Sequence, residues 1–261
     1  MLALLSPAKS LDLTTTLPTR KHSTPRMLDQ SQLLIDELVK LSVEDIASLM
    51  HISDDLAQLN YDRYRDFELP LTNENARPAM LMFNGDAYQA MAAGTRFDER
   101  DFTEASKTLR ILSGLYGVLR PLDLIAPYRL EMGSRLGTER GKNLYDFWGD
   151  RLTAQVSADL AESPGADVVV NLASDEYSSA VDFDALDARV VTPRFEDRDR
   201  SGTWRVISFS AKRARGEMAA WLIQHRARTA SVITDFDAAG YRYAKDASSP
   251  DTPVFRREKS A

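Results

Sequence analysis

The sequence contains no cysteine and only three histidines among its 261 residues. The lack of cysteine excludes disulfide bonds, thiolate catalysis, iron–sulfur clusters and cysteine-ligated zinc. The histidines, His22, His51 and His225, are scattered along the chain, so their spacing indicates no imidazole metal site. Glycine-rich nucleotide loops and the Gly-x-Ser-x-Gly nucleophile motif are also missing. We therefore expect no metal and no other cofactor.

Long apolar runs are equally scarce. No window approaches the roughly 18 apolar residues of a membrane span. The N-terminal run MLALL stops at Ser6-Pro7, without the basic start and longer apolar stretch of a signal peptide. These features predict a cytoplasmic protein that does not contact membranes. The net charge of −6 gives no general affinity for nucleic acid, so such binding would need a local basic patch.

Strand and helix patterns alternate irregularly along the chain. Strands are predicted at 2–5, 79–83, 110–112, 167–172, 189–195 and 204–209, with a final edge strand at 254–257. Helices are predicted at 28–41, 43–50, 54–65, 86–91, 102–109, 144–162 and 211–226. Because 189–195 and 204–209 read as an antiparallel pair, we predict an α/β fold with a mixed sheet flanked by helices, in one domain spanning 1–261.

Two short helices are marked by their N-terminal residues. Ser42 precedes the helix at 43–50 and has Asp45 three positions on, as in a capping box. Ser53 precedes the helix at 54–65, whose first residues are acidic. We predict an αα-hairpin at about 43–65, inserted in the domain, with a tight turn of His51, Ile52 and Ser53.

The stretch 113–133 is both irregular and apolar. Glycines and prolines interrupt it, yet it is too rich in leucine, valine and tyrosine for a solvated loop. It should therefore lie beneath other structure, and it carries Arg120 and Arg129 with it. A buried guanidinium is costly unless it is paired, so each arginine should meet a carboxylate or an anionic ligand. The stretch is either the floor of a site or a packed crossover whose arginines tie loops together.

The strongest local charge lies at 205–228, where six Lys/Arg and one Glu give a net +5. Lys212, Arg213 and Arg215 fall in the first turns of a helix, where the helix dipole disfavours cations and an anion would offset the cost. The alternative is a solvated basic face. Together with the two arginines above and with Lys9, which lies just beyond the strand predicted at 2–5, these cations form a candidate DNA- or phosphate-binding set: Lys9, Arg120, Arg129, Lys212, Arg213 and Arg215.

Acidic and phenolic groups follow the strand predicted at 167–172. Asp175, Glu176 and Tyr177 could act as acid–base groups in an enzyme that uses a small phosphorylated or anionic substrate. The alternative is structural, because the two carboxylates could neutralise Arg120, Arg129 or Lys212. The enzyme is the alternative hypothesis; we expect a non-catalytic protein.

Several of these segments, taken together, resemble the YaaA family of bacterial peroxide stress resistance proteins. They are 6–9, 83–86, 112–133, 144–150, 171–177 and 211–216, and the resemblance runs from residue 1 to about 257. It implies a cytoplasmic protein, induced by hydrogen peroxide, that keeps unincorporated iron low and so limits Fenton damage. It also implies an uncommon compact α/β fold with a positively charged cleft, double-stranded DNA as partner, and a helix-hairpin-helix element.

The hairpin at 43–65 is the segment that is similar to that element, but it departs from the usual pattern. Helix-hairpin-helix turns carry glycine, which lets backbone N–H groups approach a phosphate; here His51 and Ser53 take those places. Asp54 and Asp55 then put negative charge where a phosphate would lie. We therefore expect the basic cleft to carry the DNA affinity, through backbone contacts of low sequence specificity. We also expect a monomer.

Overall fold

The computed structural model describes residues 1–258, which form three β-sheets surrounded by helices. The strands are β1 Leu2–Leu5, β2 Arg77–Pro78, β3 Leu109–Ser113, β4 Gly117–Leu119, β5 Leu124–Ile125, β6 Val168–Leu172, β7 Arg189–Val191, β8 Arg194–Arg198, β9 Trp204–Arg205, β10 Arg242–Tyr243 and β11 Val254–Arg257. The helices are α1 Leu28–Leu38, α2 Val43–Met50, α3 Asp54–Arg65, α4 Ala79–Met82, α5 Asp86–Met91, α6 Ala93–Arg96, α7 Glu99–Thr108, α8 Leu144–Trp148, α9 Arg151–Glu162, α10 Asp175–Ser178 and α11 Ser208–Gln224. Short 3-10 helices follow at Ala230–Asp235, Ala238–Gly240 and Lys245–Ala247.

The main sheet has the strand order β4-β3-β1-β6-β7. The strands β3, β1, β6 and β7 are parallel, and β4 runs antiparallel to β3. The apolar strands β1 and β6 are buried throughout, as expected for parallel strands covered on both faces. From β1 the chain goes first to β3 on one side and later to β6 on the other. The strand order therefore reverses between β1 and β6. Because β4 is antiparallel to the parallel strand β3, the predicted mixed sheet flanked by helices is confirmed.

A second sheet has the order β10-β11-β8-β9, and its side chains build a separate aromatic cluster. Phe195 lies between Phe255, with ring centroids 5.6 Å apart, and Tyr241, at 5.4 Å. Two predictions need correction here. The strand at 254–257 is not an edge strand, because β11 lies between β10 and β8. The antiparallel pair exists as β8 and β9, but β7 joins the main sheet and the chain becomes helical at Ser208.

The strand predicted at 79–83 is wrong. Ala79–Met82 forms a single helical turn, closed by the Phe83 N–H donating to the Ala79 carbonyl at 3.0 Å. Only Arg77–Pro78 is a strand, paired with β5 in a two-stranded sheet. A five-residue apolar run does not distinguish a buried strand from a buried helical turn, because both hide every side chain.

Several helix boundaries also differ from the prediction. The helix predicted at 144–162 is broken at Gly149, whose φ of +51° is a left-handed conformation that glycine adopts at little cost. The helix at 28–41 ends early, at Leu38, and the helix at 102–109 begins earlier, where Asp98 forms a capping box with Asp101. The last helix begins at Ser208 and ends at Gln224, before the predicted 226.

The stretch 113–133 lies beneath other structure, as predicted. Its backbone is fixed by polar groups of its own and of α8. The Ser113 hydroxyl accepts from the Tyr116 N–H at 2.9 Å and shares a 2.6 Å hydrogen bond with the Tyr128 hydroxyl. The Trp148 indole donates to the Gly114 carbonyl at 3.0 Å. Irregular backbone is tolerated here because its polar groups have protein partners.

The helices α2 and α3 begin and end where the sequence predicts. The capping box of α2 is present: the Asp45 N–H donates to the Ser42 hydroxyl and the Ser42 N–H to the Asp45 carboxylate, each at 3.1 Å. Ser53 makes no side-chain capping bond at the start of α3. The buried Tyr64 of α3 donates its hydroxyl to the Arg129 carbonyl, which joins this helix pair to the stretch 113–133.

Within residues 1–258, no helix combines the length and the apolar character that crossing a membrane requires.

Candidate anion-binding cleft

A cleft of about 660 Å³ opens at the carboxyl ends of β1 and β6, where the order of the main sheet reverses. This is the position at which open α/β sheets bind their ligands. The segments after β1 and β6, the start of α5, residues 128–131 and the second turn of α11 enclose it. Its charged lining residues are Lys9, Asp86, Arg129, Glu131, Asp175, Glu176, Lys212 and Arg215.

The base of the cleft is fixed by hydrogen bonds between the two strand ends. The Ser174 N–H donates to the Ser6 hydroxyl at 2.8 Å, and the Ser6 hydroxyl lies 3.2 Å from that of Ser174. The buried Tyr88 of α5 donates its hydroxyl to the Ser6 carbonyl at 2.8 Å. Strand β1 stops here because Pro7 has no N–H to continue the ladder. The residues that follow β1 are thus held against both β6 and α5.

The α11 side of the cleft is set by a close approach of two helices. A Cβ on Gly216 would lie 1.8 Å from the Ala87 carbonyl oxygen of α5, so only glycine permits this separation. Gly85, just before α5, is similarly close to Ala8, where an added Cβ would lie 2.9 Å from the Ala8 Cβ. These contacts hold α11 beside α5 and bring Lys212 and Arg215 to the cleft.

Lys9 and Arg129 share one carboxylate. Glu131 Oε2 lies 2.6 Å from Lys9 Nζ, and Glu131 Oε1 lies 3.2 Å from Arg129 Nη2. The Arg129 Nε is buried and has no hydrogen-bond partner within residues 1–258. Arg129 therefore meets a carboxylate, as the sequence predicts, but one donor of its guanidinium group is left unused.

Lys212 and Arg215 have no such partner. Within the described part of the chain, neither makes a hydrogen bond or has a carboxylate oxygen within 4.0 Å. Arg215 is half-buried, and its burial lowers the pKa of its guanidinium group, against the opposing effect of the Asp175 charge. Burial thus disfavours the charged form of Arg215, and no ion pair within residues 1–258 offsets this cost.

The three acid–base candidates all border the cleft, but two of them have structural contacts. Glu176 Oε1 accepts from the Gly133 N–H at 2.9 Å, and its carbonyl accepts from the Tyr145 hydroxyl at 2.8 Å. Burial raises the pKa of Tyr177 far above its ordinary value, so its phenol is protonated at neutral pH. Only Asp175 is exposed. The alternative in which Asp175 and Glu176 neutralise Arg120 or Arg129 is wrong, because Asp123 and Glu131 pair with these two arginines.

Arg120 and Arg213 do not line the cleft. The Arg120 guanidinium lies 3.0 Å from the buried Asp123 carboxylate and donates to the Thr24 carbonyl at 2.9 Å, so it ties two loops together. Arg213 lies on α11 over the ring of Phe209, 5.9 Å from its centroid, and Phe209 is 59% exposed. The predicted cation set therefore divides. Four members line the cleft (Lys9, Arg129, Lys212 and Arg215), and their charge is matched by four carboxylates.

One of the three predicted hairpin residues, His51, borders a second groove, of about 1060 Å³, which we call the hairpin groove. His51 lines it together with α2 and residues 133–137, and Glu131 and Glu176 are common to the cleft and this groove. His51 ends α2 with φ +52°, Ile52 is half-buried, and Ser53 is exposed. The hairpin groove and the cleft are thus neighbours.

Comparison with known proteins gives a family for this architecture. The family model described as peroxide stress protein YaaA matches residues 1–247. The chain belongs to this family. Similar proteins, each described as a UPF0246 protein, include one from Cellvibrio japonicus, 51% identical over 99% of both chains, and one from Tolumonas auensis, 51% identical over 98% of both. A relative from Colwellia psychrerythraea is 48% identical over the full length of both chains. The resemblance seen in the sequence is confirmed.

For this YaaA-family chain, sequence reasoning missed two features of the cleft. Glu131 is the carboxylate that pairs with Lys9 and Arg129, and Ser6 joins the two strand ends. Glu131 lies two residues after Arg129, a spacing that places side chains on one side of an extended chain, and this was the available signal. Ser6 gave no such signal, because its partner is 168 residues away.

Proposed function

We propose that this YaaA-family protein acts in the cytoplasm as a monomer in peroxide resistance, where it binds double-stranded DNA and helps keep unincorporated iron low. The proposal of DNA binding rests on three cations of α11. Lys212, Arg213 and Arg215 lie in the second turn of α11, and within residues 1–258 none has a carboxylate in ion-pair range. Unpaired cations on one helix are suited to phosphates, because each contact releases a condensed counterion from DNA.

The proposed contact is with the DNA backbone at the rim of the cleft. Lys9 and Lys212 are exposed there, and the half-buried Arg213 follows Lys212 on α11, outside the cleft lining. Cations that meet phosphates fix a protein on a duplex without reading its sequence, so we propose low sequence specificity. The four carboxylates of the cleft favour contact at the rim over entry of a duplex into the cleft.

The α2–α3 pair is the proposed helix-hairpin-helix element. In its support, the hairpin groove adjoins the cleft, so one bound duplex could touch both. Asp54 and Asp55 are exposed at the start of α3 and would repel phosphates. We propose that the hairpin is an architectural element and that the α11 cations supply the affinity.

Replacing Lys212, Arg213 and Arg215 with alanine tests the DNA part. We expect at least about tenfold weaker duplex binding, and a slope of log K against log salt that is shallower by about 2, since Lys212 and Arg213 are the rim contacts and each lost phosphate contact contributes about 0.9. Fluorescence anisotropy at several salt concentrations measures both. The matched control removes three exposed cations elsewhere, Arg100, Lys107 and Lys245. Equal affinity and slope in the wild type and the α11 variant would contradict the assignment.

The cellular part is tested separately. In peroxide-stressed cells that lack the protein, unincorporated iron measured by electron paramagnetic resonance should rise. Adding back the wild-type chain should lower unincorporated iron again, and adding back the α11 triple variant should not. Full restoration by the triple variant would separate the iron effect from these cations.

One observation favours a second candidate, an enzyme acting on a small phosphorylated or anionic substrate. The cleft lies at the reversal of the sheet order and has the size of a small-molecule site. Of the three acid–base candidates, Asp175 alone is exposed. If the protein is such an enzyme, cells carrying Asp175→Asn should no longer survive peroxide, although the variant still binds duplex DNA. Normal survival of that variant would argue against an enzyme.

A further inference from the structure

A single carboxylate in the cleft already shows how an oxyanion is held. Glu131 spans Lys9 and Arg129 with its two oxygens, at 2.6 and 3.2 Å. Two cations are therefore positioned around one anionic group, supplied in this case by the protein itself. A phosphate group needs the same arrangement and offers one more oxygen and more charge.

The same guanidinium group has a donor to spare. Arg129 presents five N–H donors in a planar fork, and its Nε is buried without a partner in residues 1–258. A carboxylate has two oxygens, which Lys9 and the Nη2 of Arg129 already engage. A terminal phosphate could accept from Nε and Nη2 together, as bidentate arginine–phosphate pairs do. Arg129 is therefore better matched to a phosphate than to Glu131.

Arg215 supplies a second cation from another element of the cleft. It is half-buried, its burial disfavours the charged form, and no carboxylate in the described chain pairs with it. An anionic ligand would offset the cost of burying this charge. Lys212, one helical turn before it, is exposed at the rim.

The size of the cleft limits the class of ligand. At about 660 Å³ it falls within the range of small-molecule sites, whereas a duplex is too wide to enter it. The side-chain amides of Asn84 and Gln89 line it as well and can bond the uncharged part of a ligand.

We propose that the cleft binds a small molecule carrying a phosphate or diphosphate group, held by Arg129 and Arg215, with Glu131 displaced from Lys9 and Arg129 on binding. This proposal rests on the cleft of the second candidate function; it narrows the ligand to a phosphate or diphosphate compound and names the residues that bind it. It needs neither turnover nor DNA.

Calorimetric titration with inorganic pyrophosphate at low ionic strength tests it. We expect Arg129→Gln and Arg215→Gln each to weaken binding at least about tenfold. Arg213→Gln removes the same charge from the same helix outside the cleft and should leave pyrophosphate affinity unchanged. Glu131→Gln removes the competing carboxylate and should raise affinity several-fold, a gain that misfolding cannot produce. No binding of pyrophosphate at millimolar concentration, or an equal loss in Arg213→Gln, would overturn the proposal.

Duplex binding by the same proteins separates the two hypotheses. We expect Arg213→Gln to weaken duplex binding while pyrophosphate binding is kept. If the α11 triple variant loses DNA affinity but wild-type protein ignores pyrophosphate, the small-ligand proposal fails and the DNA proposal stands. Pyrophosphate binding without any duplex binding gives the reverse result.

Discussion

Replacing Asp159 with alanine is expected to lower the free energy of unfolding by about 3–5 kcal/mol, because it leaves buried guanidinium charge without a counter-charge. Asp159 is 1% exposed. Its Oδ2 lies 2.6 Å from Arg110 Nε and 2.7 Å from Arg26 Nη2, and its Oδ1 accepts from Arg26 Nη1. The residue thus joins α9 to β3 and to the loop before α1.

The same carboxylate predicts an acid dependence. Burial alone would raise the pKa of Asp159, but the hydrogen bonds and charges of Arg26 and Arg110 outweigh it and hold the pKa below its ordinary value. A carboxyl group with a lowered folded-state pKa stabilises the fold above its unfolded pKa of about 4 and loses that contribution as pH falls through the folded value. The stability difference between wild type and Asp159→Ala should therefore be constant above about pH 5 and shrink below about pH 4.

Urea unfolding of both proteins between pH 3 and pH 7 measures these effects. Glu37→Ala is the control, because Glu37 pairs with Lys40 at 2.9 Å on the surface of α1, where a pair contributes about 0.5 kcal/mol or less. A loss below about 1 kcal/mol in Asp159→Ala, or a difference that grows at low pH, would contradict the stabilising role assigned to the ion pairs of Asp159 with Arg26 and Arg110.

Elements with strong local signals were predictable from the sequence. The β-branched run of β6 is buried on both faces, and α2 begins at a capping box, so tertiary contacts only reinforce what the local residues favour. The turn at Ala79–Met82 and the break at Gly149 were not predictable in this way. Whether a short apolar run forms a helical turn, or a glycine takes a left-handed φ, depends on the residues that surround it in the fold.

The residues of the candidate site were also predictable only in part. Arg129, Lys212 and Arg215 were identified because buried arginine and cations early in a helix are costly without an anion, and the fold brings them together with Lys9, which follows β1. Arg120 has the same local signature but is satisfied by Asp123, three residues away. The sequence shows that a charge needs a partner. Which partner it meets depends on distances between segments that the sequence does not reveal.

Replacing Gly216 with alanine is expected to destabilise the protein by about 2–3 kcal/mol, although alanine is the better helix former by about 1 kcal/mol. The new Cβ would lie 1.8 Å from the Ala87 carbonyl oxygen. Because the obstacle is backbone, α11 and α5 must move apart, and no side chain can rotate away. The shift also moves Lys212 and Arg215 relative to the opposite side of the cleft, so pyrophosphate affinity should fall in the protein that remains folded.

Gly94→Ala is the matched control for this effect, because Gly94 is also helical and an added Cβ there meets no atom within 4 Å. It should be neutral or slightly stabilising and should leave pyrophosphate affinity unchanged. Thermal unfolding and calorimetric titration of the two variants separate stability from binding. Wild-type stability in Gly216→Ala would show that the two helices can separate freely, and the placement of the α11 cations would then not depend on this contact.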